Sequence, residues 1–298
     1  MKQRILNTLE HYNHVKNHVF NAFNHPVIVL MYHRVLDQNE QGSPYTVTTS
    51  HFRDQMLYLK DHFEMVGLED NWQNLERPAC VITFDDGYYD NYTIARDFLS
   101  PQSIPATFFV ATQNIGTKNL FWWDDLNLHQ AFYEKSSGLT MMQLFRQLKN
   151  SQRNDQIRFF NKHQPPVCCD EATRKAYRSM TKQELISLSD LPHMSIGAHT
   201  INHLNLSKQS IDEIAFELRE SQLRLEHIIN KSVTSCSFPY GSYNRKVIGV
   251  SQKLGFNTAC IGVSQNAYHW TNRLKIPRIS VEDVALGTFK RQINRLIP

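Results

Sequence analysis

The chain has 298 residues, of which 41% are hydrophobic and 20% charged, proportions that suit a globular α/β protein with a sizeable core. Its formal charge of +4 comes from lysines and arginines spread along the chain without a basic run, so a nucleic-acid partner is not expected. No stretch reaches the roughly 20 apolar residues needed to cross a bilayer, and the five cysteines show no zinc-ribbon spacing, which predicts free thiols in a reducing compartment.

Residues 1–25 carry Lys2, Arg4, Glu10 and Lys16 among their apolar residues, so no signal-peptide core is expected. Ile5, Leu9, Tyr12, Val19 and Phe23 fall near helical spacing and predict an amphipathic helix. Such a helix either packs on the outside of the main domain or lies on a membrane surface as a peripheral contact. From 26 to 298, short apolar runs alternate with helical patterns. Strands are predicted at 27–32, 63–68, 80–84, 106–111, 194–198, 236–238, 258–261 and 274–279, and helices at 50–62, 91–100, 210–229 and 244–254. Thr181 with Glu184 and Ser210 with Glu213 read as capping boxes, and Gly255 is placed to end the helix before it. The alternation predicts a parallel sheet, and about eight strands predict a barrel. Residues from about 118 to 183 break the rhythm. They are polar and mostly helical, and read as an insertion folded over one end of the barrel. The insertion opens with Phe121-Trp122-Trp123-Asp124-Asp125, whose tryptophans either stack on sugar rings or pin the insertion to the barrel.

The run Val81-Ile82-Thr83-Phe84-Asp85-Asp86-Gly87 reads as a buried strand with two adjacent carboxylates where it ends at a glycine. Within a strand, neighbouring side chains point to opposite faces, so a pair at a strand end, where the chain already turns, is better placed to share a pocket. The alternative is an Asx turn at Asp85 and a helix cap at Asp86. His199-Thr200-Ile201-Asn202-His203 follows the strand at 194–198, and imidazoles four apart share a face of a helical turn, a spacing suited to one metal. With 14 histidines in the chain, about 0.7 such pairs arise by chance. His14 and His18 have the same spacing with no strand end or carboxylate nearby. Two histidines and one carboxylate at the C-terminal rim of a barrel would leave room for water, as a catalytic metal site requires.

Thr83-Phe84-Asp85-Asp86-Gly87, His199-Thr200-Ile201-Asn202-His203 and Phe238-Pro239-Tyr240-Gly241 resemble, in order and separation, the first three motifs of the polysaccharide deacetylases, the NodB-homology proteins of carbohydrate esterase family four. The opening Met31-Tyr32-His33-Arg34-Val35 resembles the branch containing the poly-N-acetylglucosamine deacetylases. The resemblance implies an α/β fold, a distorted (β/α) barrel with the helical insertion. It implies that Asp86, His199 and His203 hold a divalent metal, zinc by preference, and that Asp85 is the general base for attack of metal-bound water on an acetyl carbonyl. The Tyr240 backbone N–H would bind the oxyanion, unless Tyr240 is merely a turn residue after Pro239. His33 would protonate the leaving amine, its alternative being a structural bond to a backbone carbonyl. Trp123, Pro239, Tyr240 and Arg278 are the expected substrate-side residues.

Two departures from the family pattern stand out. An arginine that commonly lies two residues before the proline of the third motif, and helps orient the base, is Ser237 here. Arg278, in Ile276-Pro277-Arg278-Ile279, is the candidate replacement or else forms a surface ion pair. The family's late leucine-x-histidine motif is not evident, which leaves the acid to His33. The implied substrate is an N-acetylated sugar in a glycan or lipid-linked glycan, met in the cytoplasm or at the inner membrane face. O-acetyl ester, N-formyl or other amide hydrolysis on a small molecule would use the same centre, and a glycan-binding module without turnover is the third reading.

Overall fold

The computed structural model describes residues 24–39, 43–165 and 176–297. The expected helix at 1–25 therefore lies outside the described residues, except for its last two positions.

Strands β1 (Val27–Tyr32), β5 (Ala79–Phe84), β6 (Ala106–Val110), β7 (Met194–Ala198), β8 (Ser235–Ser237) and β9 (Thr258–Ile261) form the body of one parallel sheet. Two short strands, β10 (Ile276–Pro277) and β11 (Ile279–Ser280), lie at its opposite ends. β10 pairs with β9, whereas β11 pairs with β1. Only Arg278 separates them in the chain, so one segment of five residues nearly closes the sheet into a barrel. A small strand, β4 (Glu64–Met65), adds to β5, and β2 (Arg34–Leu36) pairs with β3 (Thr46–Thr48) as a separate ribbon.

Alternation along the strands sorts the side chains into two cores. Ile28, Leu30, Ile82, Phe84, Phe108, Ile196 and Cys236 face outward against the helices. Helix α1 (Thr49–His62) supplies Phe52, Met56 and Leu59 to that layer, and the later helix α8 (Ile211–Ile229) supplies Ile214, Leu218 and Leu225. Val27, Val29, Val81, Phe109, Cys260 and Ile276 form a second cluster inside the barrel. Strands covered on both sides have no polar face, and all six residues of β5 are buried.

Helix α2 (Tyr89–Ile94) follows β5 and runs into a π-helical turn at Ala95–Leu99, in place of the single helix expected at 91–100. Between β6 and β7 come α3 (Trp122–Leu128), α4 (Gln130–Ser137), α5 (Met141–Lys149), α6 (Arg153–Lys162) and α7 (Lys182–Asp190). Thr140–Gln143 and Thr181–Glu184 form reciprocal capping boxes at the starts of α5 and α7. α9 (Arg245–Lys253) and α10 (Leu286–Asn294) complete the order. Two strand expectations need correction. The one at 63–68 shrinks to Glu64–Met65, because the Gly67 N–H donates to Asp70 Oδ2 at 2.7 Å and the chain turns away from the sheet. The one at 274–279 opens as a 3₁₀ turn (Arg273–Lys275) and is divided at Arg278.

Candidate active site

The same alternation aims a set of polar residues into one end of the barrel. On β5, Val81 lies in the inner cluster and Ile82 and Phe84 in the outer one, so Thr83 and Asp85 continue the inner row. Asp86 would next face outward, but its φ of 76° turns the chain and returns its carboxylate to the same pocket. On β7, Gly197 is the inward residue before His199. A Cβ there would lie 2.4 Å from the Phe109 ring, so only glycine lets these strands pack. Met31 and His33 continue the inner row of β1 and line the same cavity, of about 560 Å³.

His199 and His203 do not share a helical turn. They lie on a loop in which Thr200 (φ 63°) and His203 (φ 53°) are left-handed, and this folding brings the two rings to a centroid distance of 4.8 Å. The loop is held from behind by Glu217 of α8, a fully buried carboxylate. Glu217 Oε2 accepts the backbone N–H groups of Ile201 and Asn202, each at 2.9 Å, and Oε1 accepts from the Asn202 amide. Its position, three residues after Ile214 and one before Leu218 on the buried face of α8, was the available signal: a carboxylate on an apolar stripe.

Ligand atoms of Asp86, His199 and His203 all lie within 4.8 Å of one another. Nε2 of His203 is 3.3 Å and Nε2 of His199 3.7 Å from Asp86 Oδ1, yet no donor with hydrogen-bond geometry reaches that buried oxygen among the described residues. The Ser237 carbonyl lies 2.8 Å from His199 Nδ1, a contact that assigns the proton to Nδ1 and leaves Nε2 as a lone pair facing the pocket. Burial lowers the proton affinity of both imidazoles, His203 the more strongly because His199 adjoins it, so both are neutral. Burial, then Asp85 and Asp124, lift the Asp86 carboxyl well above its ordinary value. Two neutral imidazoles and a carboxylate whose charge lacks compensation fit a divalent cation.

Asp85 has a different environment. Arg278 donates from Nη1 to Oδ1 and from Nη2 to Oδ2, both at 2.7 Å, a bidentate pair with the arginine side chain wholly buried. Nη2 also donates to Ser237 Oγ at 2.6 Å and Nη1 to Thr83 Oγ1 at 3.2 Å. Arg278 is therefore no surface ion pair. Burial alone would raise the Asp85 carboxyl, but Arg278 and then His199 overcome it and hold Asp85 well below the usual carboxylate range. Two adjacent aspartates are thus driven in opposite directions.

His33 is partly buried, with its ring 5.0 Å from Tyr45. Burial lowers its pKa to about 4, against the attraction of Asp85 and with the repulsion of Arg278 and His199. Pro239 is buried and opens a short turn, in which Tyr240 (φ 60°) lays its ring 4.7 Å from His203. Beneath it, a Cβ on Gly241 would meet the Gly262 backbone at 2.1 Å, so the turn sits directly on the end of β9. Trp123 anchors the insertion to the residues that follow β5. It stacks on Phe121 at 4.6 Å, donates from Nε1 to the Tyr88 hydroxyl at 2.8 Å, and still lines the cavity 4.5 Å from the His203 ring.

Asp124 and Tyr88 were not among the expected site residues, although both line the cavity. The Tyr88 hydroxyl donates to Asp124 Oδ2 at 2.7 Å, and burial pushes the Asp124 carboxyl up to about 7. Arg34, paired with Asp90, lies over the Tyr88 ring at 4.4 Å. The acidic pair after the tryptophans was the visible clue.

A family model described as polysaccharide deacetylase matches residues 73–259. The Bacillus subtilis (strain 168) protein YxkH is 22% identical over 235 residues, 76% of this chain and 61% of that protein. A chitooligosaccharide deacetylase of Azorhizobium caulinodans is 30% identical over 82 residues, 27% of this chain and 37% of its own. The chain thus spans less than two thirds of the length of either relative. Among solved structures, Streptococcus pyogenes deacetylase PplD in complex with acetate superposes with a TM-score of 0.63 at 16% identity, covering 92% of this chain and all of that one, which places the two in the same fold.

Proposed function

Because the chain belongs to the polysaccharide deacetylase family, we propose that it is a metal-dependent hydrolase that removes an acetyl group from an N-acetylated sugar of a glycan or lipid-linked glycan. The observation that carries this reading is the convergence of Asp86, His199 and His203 beside an arginine-clamped Asp85 in one cavity. Asp86, His199 and His203 would hold the divalent cation, zinc by preference. When bound, it would supply a Lewis acid that polarises the acetyl carbonyl and acidifies the attacking water.

Asp85 is assigned as general base. The Arg278 fork keeps it ionised and fixes the direction of its lone pairs, at the cost of some basicity. The Tyr240 backbone N–H is assigned to the developing oxyanion, which suits the left-handed turn that brings this residue against His203. His33 is assigned as the acid for the leaving amine. Its pKa of about 4 makes it neutral at rest. The proton it delivers is taken up from solvent in the cavity as negative charge building on the acetyl oxygen raises the ring's proton affinity, while the proton taken by Asp85 returns to solvent. Trp123 offers an aromatic face to the sugar at the cavity wall.

The test is acetate release from N-acetylglucosamine oligomers by purified protein, its loss with a chelator, and its return with zinc or cobalt. Asp85→Asn and His199→Ala should each abolish turnover. Activity retained in both variants would refute the mechanism.

A further inference from the structure

Next to the catalytic cavity lies a second cleft of about 810 Å³, and the two share Asn127, Phe145, Lys149 and Tyr240 as a common wall. The outer cleft is lined by Arg146, Lys149 and Lys208, and no carboxylate lines it. None of these cations forms an ion pair with a described residue; Lys149 Nζ sits 4.5 Å above the Tyr240 ring. Arg146 and Lys149 occupy the last turn of α5, where a cation complements the helix dipole. That account does not reach Lys208, which comes from the separate turn Leu206–Lys208. The catalytic cavity is mixed in charge, with Asp85, Asp86 and Asp124 in its wall beside Arg34 and the shared Lys149. With no carboxylate to oppose its cations, the outer cleft would draw an anionic substituent on a bound sugar. The cleft also has an apolar side, formed by Phe145 and by Met142, which is 80% exposed.

We propose that the outer cleft is a phosphate subsite. It holds a phosphate ester adjoining the N-acetylated sugar whose acetyl group enters the catalytic cavity. The inference rests on the deacetylase reading of that cavity. Its chemistry is shared by soluble phosphosugars and by sugars carried on a lipid phosphate, and the experiment separates the two.

The zinc-loaded protein is assayed on N-acetylglucosamine 1-phosphate, on the same phosphosugar carried by a short polyprenol, and on neutral methyl N-acetylglucosaminide. Equilibrium binding of each is measured in parallel with the inactive Asp85→Asn variant. At low salt, phosphorylated sugars should bind about tenfold more tightly than the neutral one, with the advantage shrinking as salt rises. The double variant Arg146→Gln/Lys208→Gln should remove that advantage and leave turnover of the neutral sugar unchanged. An extra preference for the lipid-carried sugar, lost in Met142→Ser, would assign the lipid to the same cleft. Equal behaviour of the two phosphosugars would assign the cleft to phosphate alone. Equal binding of phosphorylated and neutral sugars, or a preference untouched by the double variant, overturns the subsite. Discrimination in binding without turnover of any sugar would uphold the subsite and refute the deacetylase reading.

Discussion

Replacing Arg278 by glutamine removes the cation that contacts both oxygens of Asp85 and leaves the carboxylate, 3% exposed, with no paired cation among the described residues. Breaking a buried ion pair from one side costs about 3–5 kcal/mol. Asp85 can relieve part of that cost by taking a proton, and each tenfold change in proton affinity corresponds to about 1.4 kcal/mol. The acid limb of the rate profile should therefore move toward neutrality by about two pH units or more. Stability should change in a defined sense. In the native protein Asp85 has a depressed pKa, so its contribution is present above the ordinary carboxylate value and fades as pH falls through the folded value. The Arg278→Gln protein lacks this contribution, so its deficit should be largest at neutral pH and shrink toward acid. Urea unfolding at several pH values and a kcat/KM profile test both effects. Arg278→Lys, which keeps the charge and loses the fork, should fall between the two. A variant with native stability and an unmoved acid limb would refute the clamp.

The Asp86 carboxyl is lifted by burial, Asp85 and Asp124, so it opposes folding increasingly as pH rises above the ordinary carboxylate range. Asp86→Asn should accordingly stabilise chelator-treated protein at pH 7–8 by about 1–3 kcal/mol and abolish the rise in Tm that zinc gives the native protein; a zinc-dependent rise that persists would remove Asp86 from the ligand set. Glu217→Gln keeps the shape of the brace behind the histidine loop and discards its charge. Zinc affinity, read by competition with a chromogenic chelator, should fall about 10- to 100-fold, and native affinity would dismiss the brace.

Legibility followed periodicity. The carboxylate pair could be located because Val81, Ile82 and Phe84 announce a strand that stops at Gly87, and Ile196-Gly197-Ala198 announces the strand before His199 in the same way. The geometry of the histidine loop was not readable. A spacing of four suits a helical turn, and two left-handed residues achieve the same proximity without a glycine to mark them; Thr200 in particular is β-branched, a residue type that rarely adopts positive φ. Arg278 could be named from its place after Ile276-Pro277, but its clamp depends on Ser237 and Thr83, brought together by closure of the sheet. Asp124 and Glu217 lie in helices, where a polar residue ordinarily faces water, and Tyr88 immediately precedes one, so only their neighbours marked them.

The barrel's two open ends are joined by a stretch of only five residues, and the clamp on Asp85 sits at the middle of that stretch. Shape and reactivity are consequently settled in a single act. During synthesis the loop with both imidazoles and the aspartate pair emerge well before residue 278, yet the base gains its counter-charge only when this late piece zips into place. A chain cut short before Ile276 would retain most of its strands and helices while losing the orientation of its base, so turnover would report on completion of the last stave more sharply than any measure of helix content.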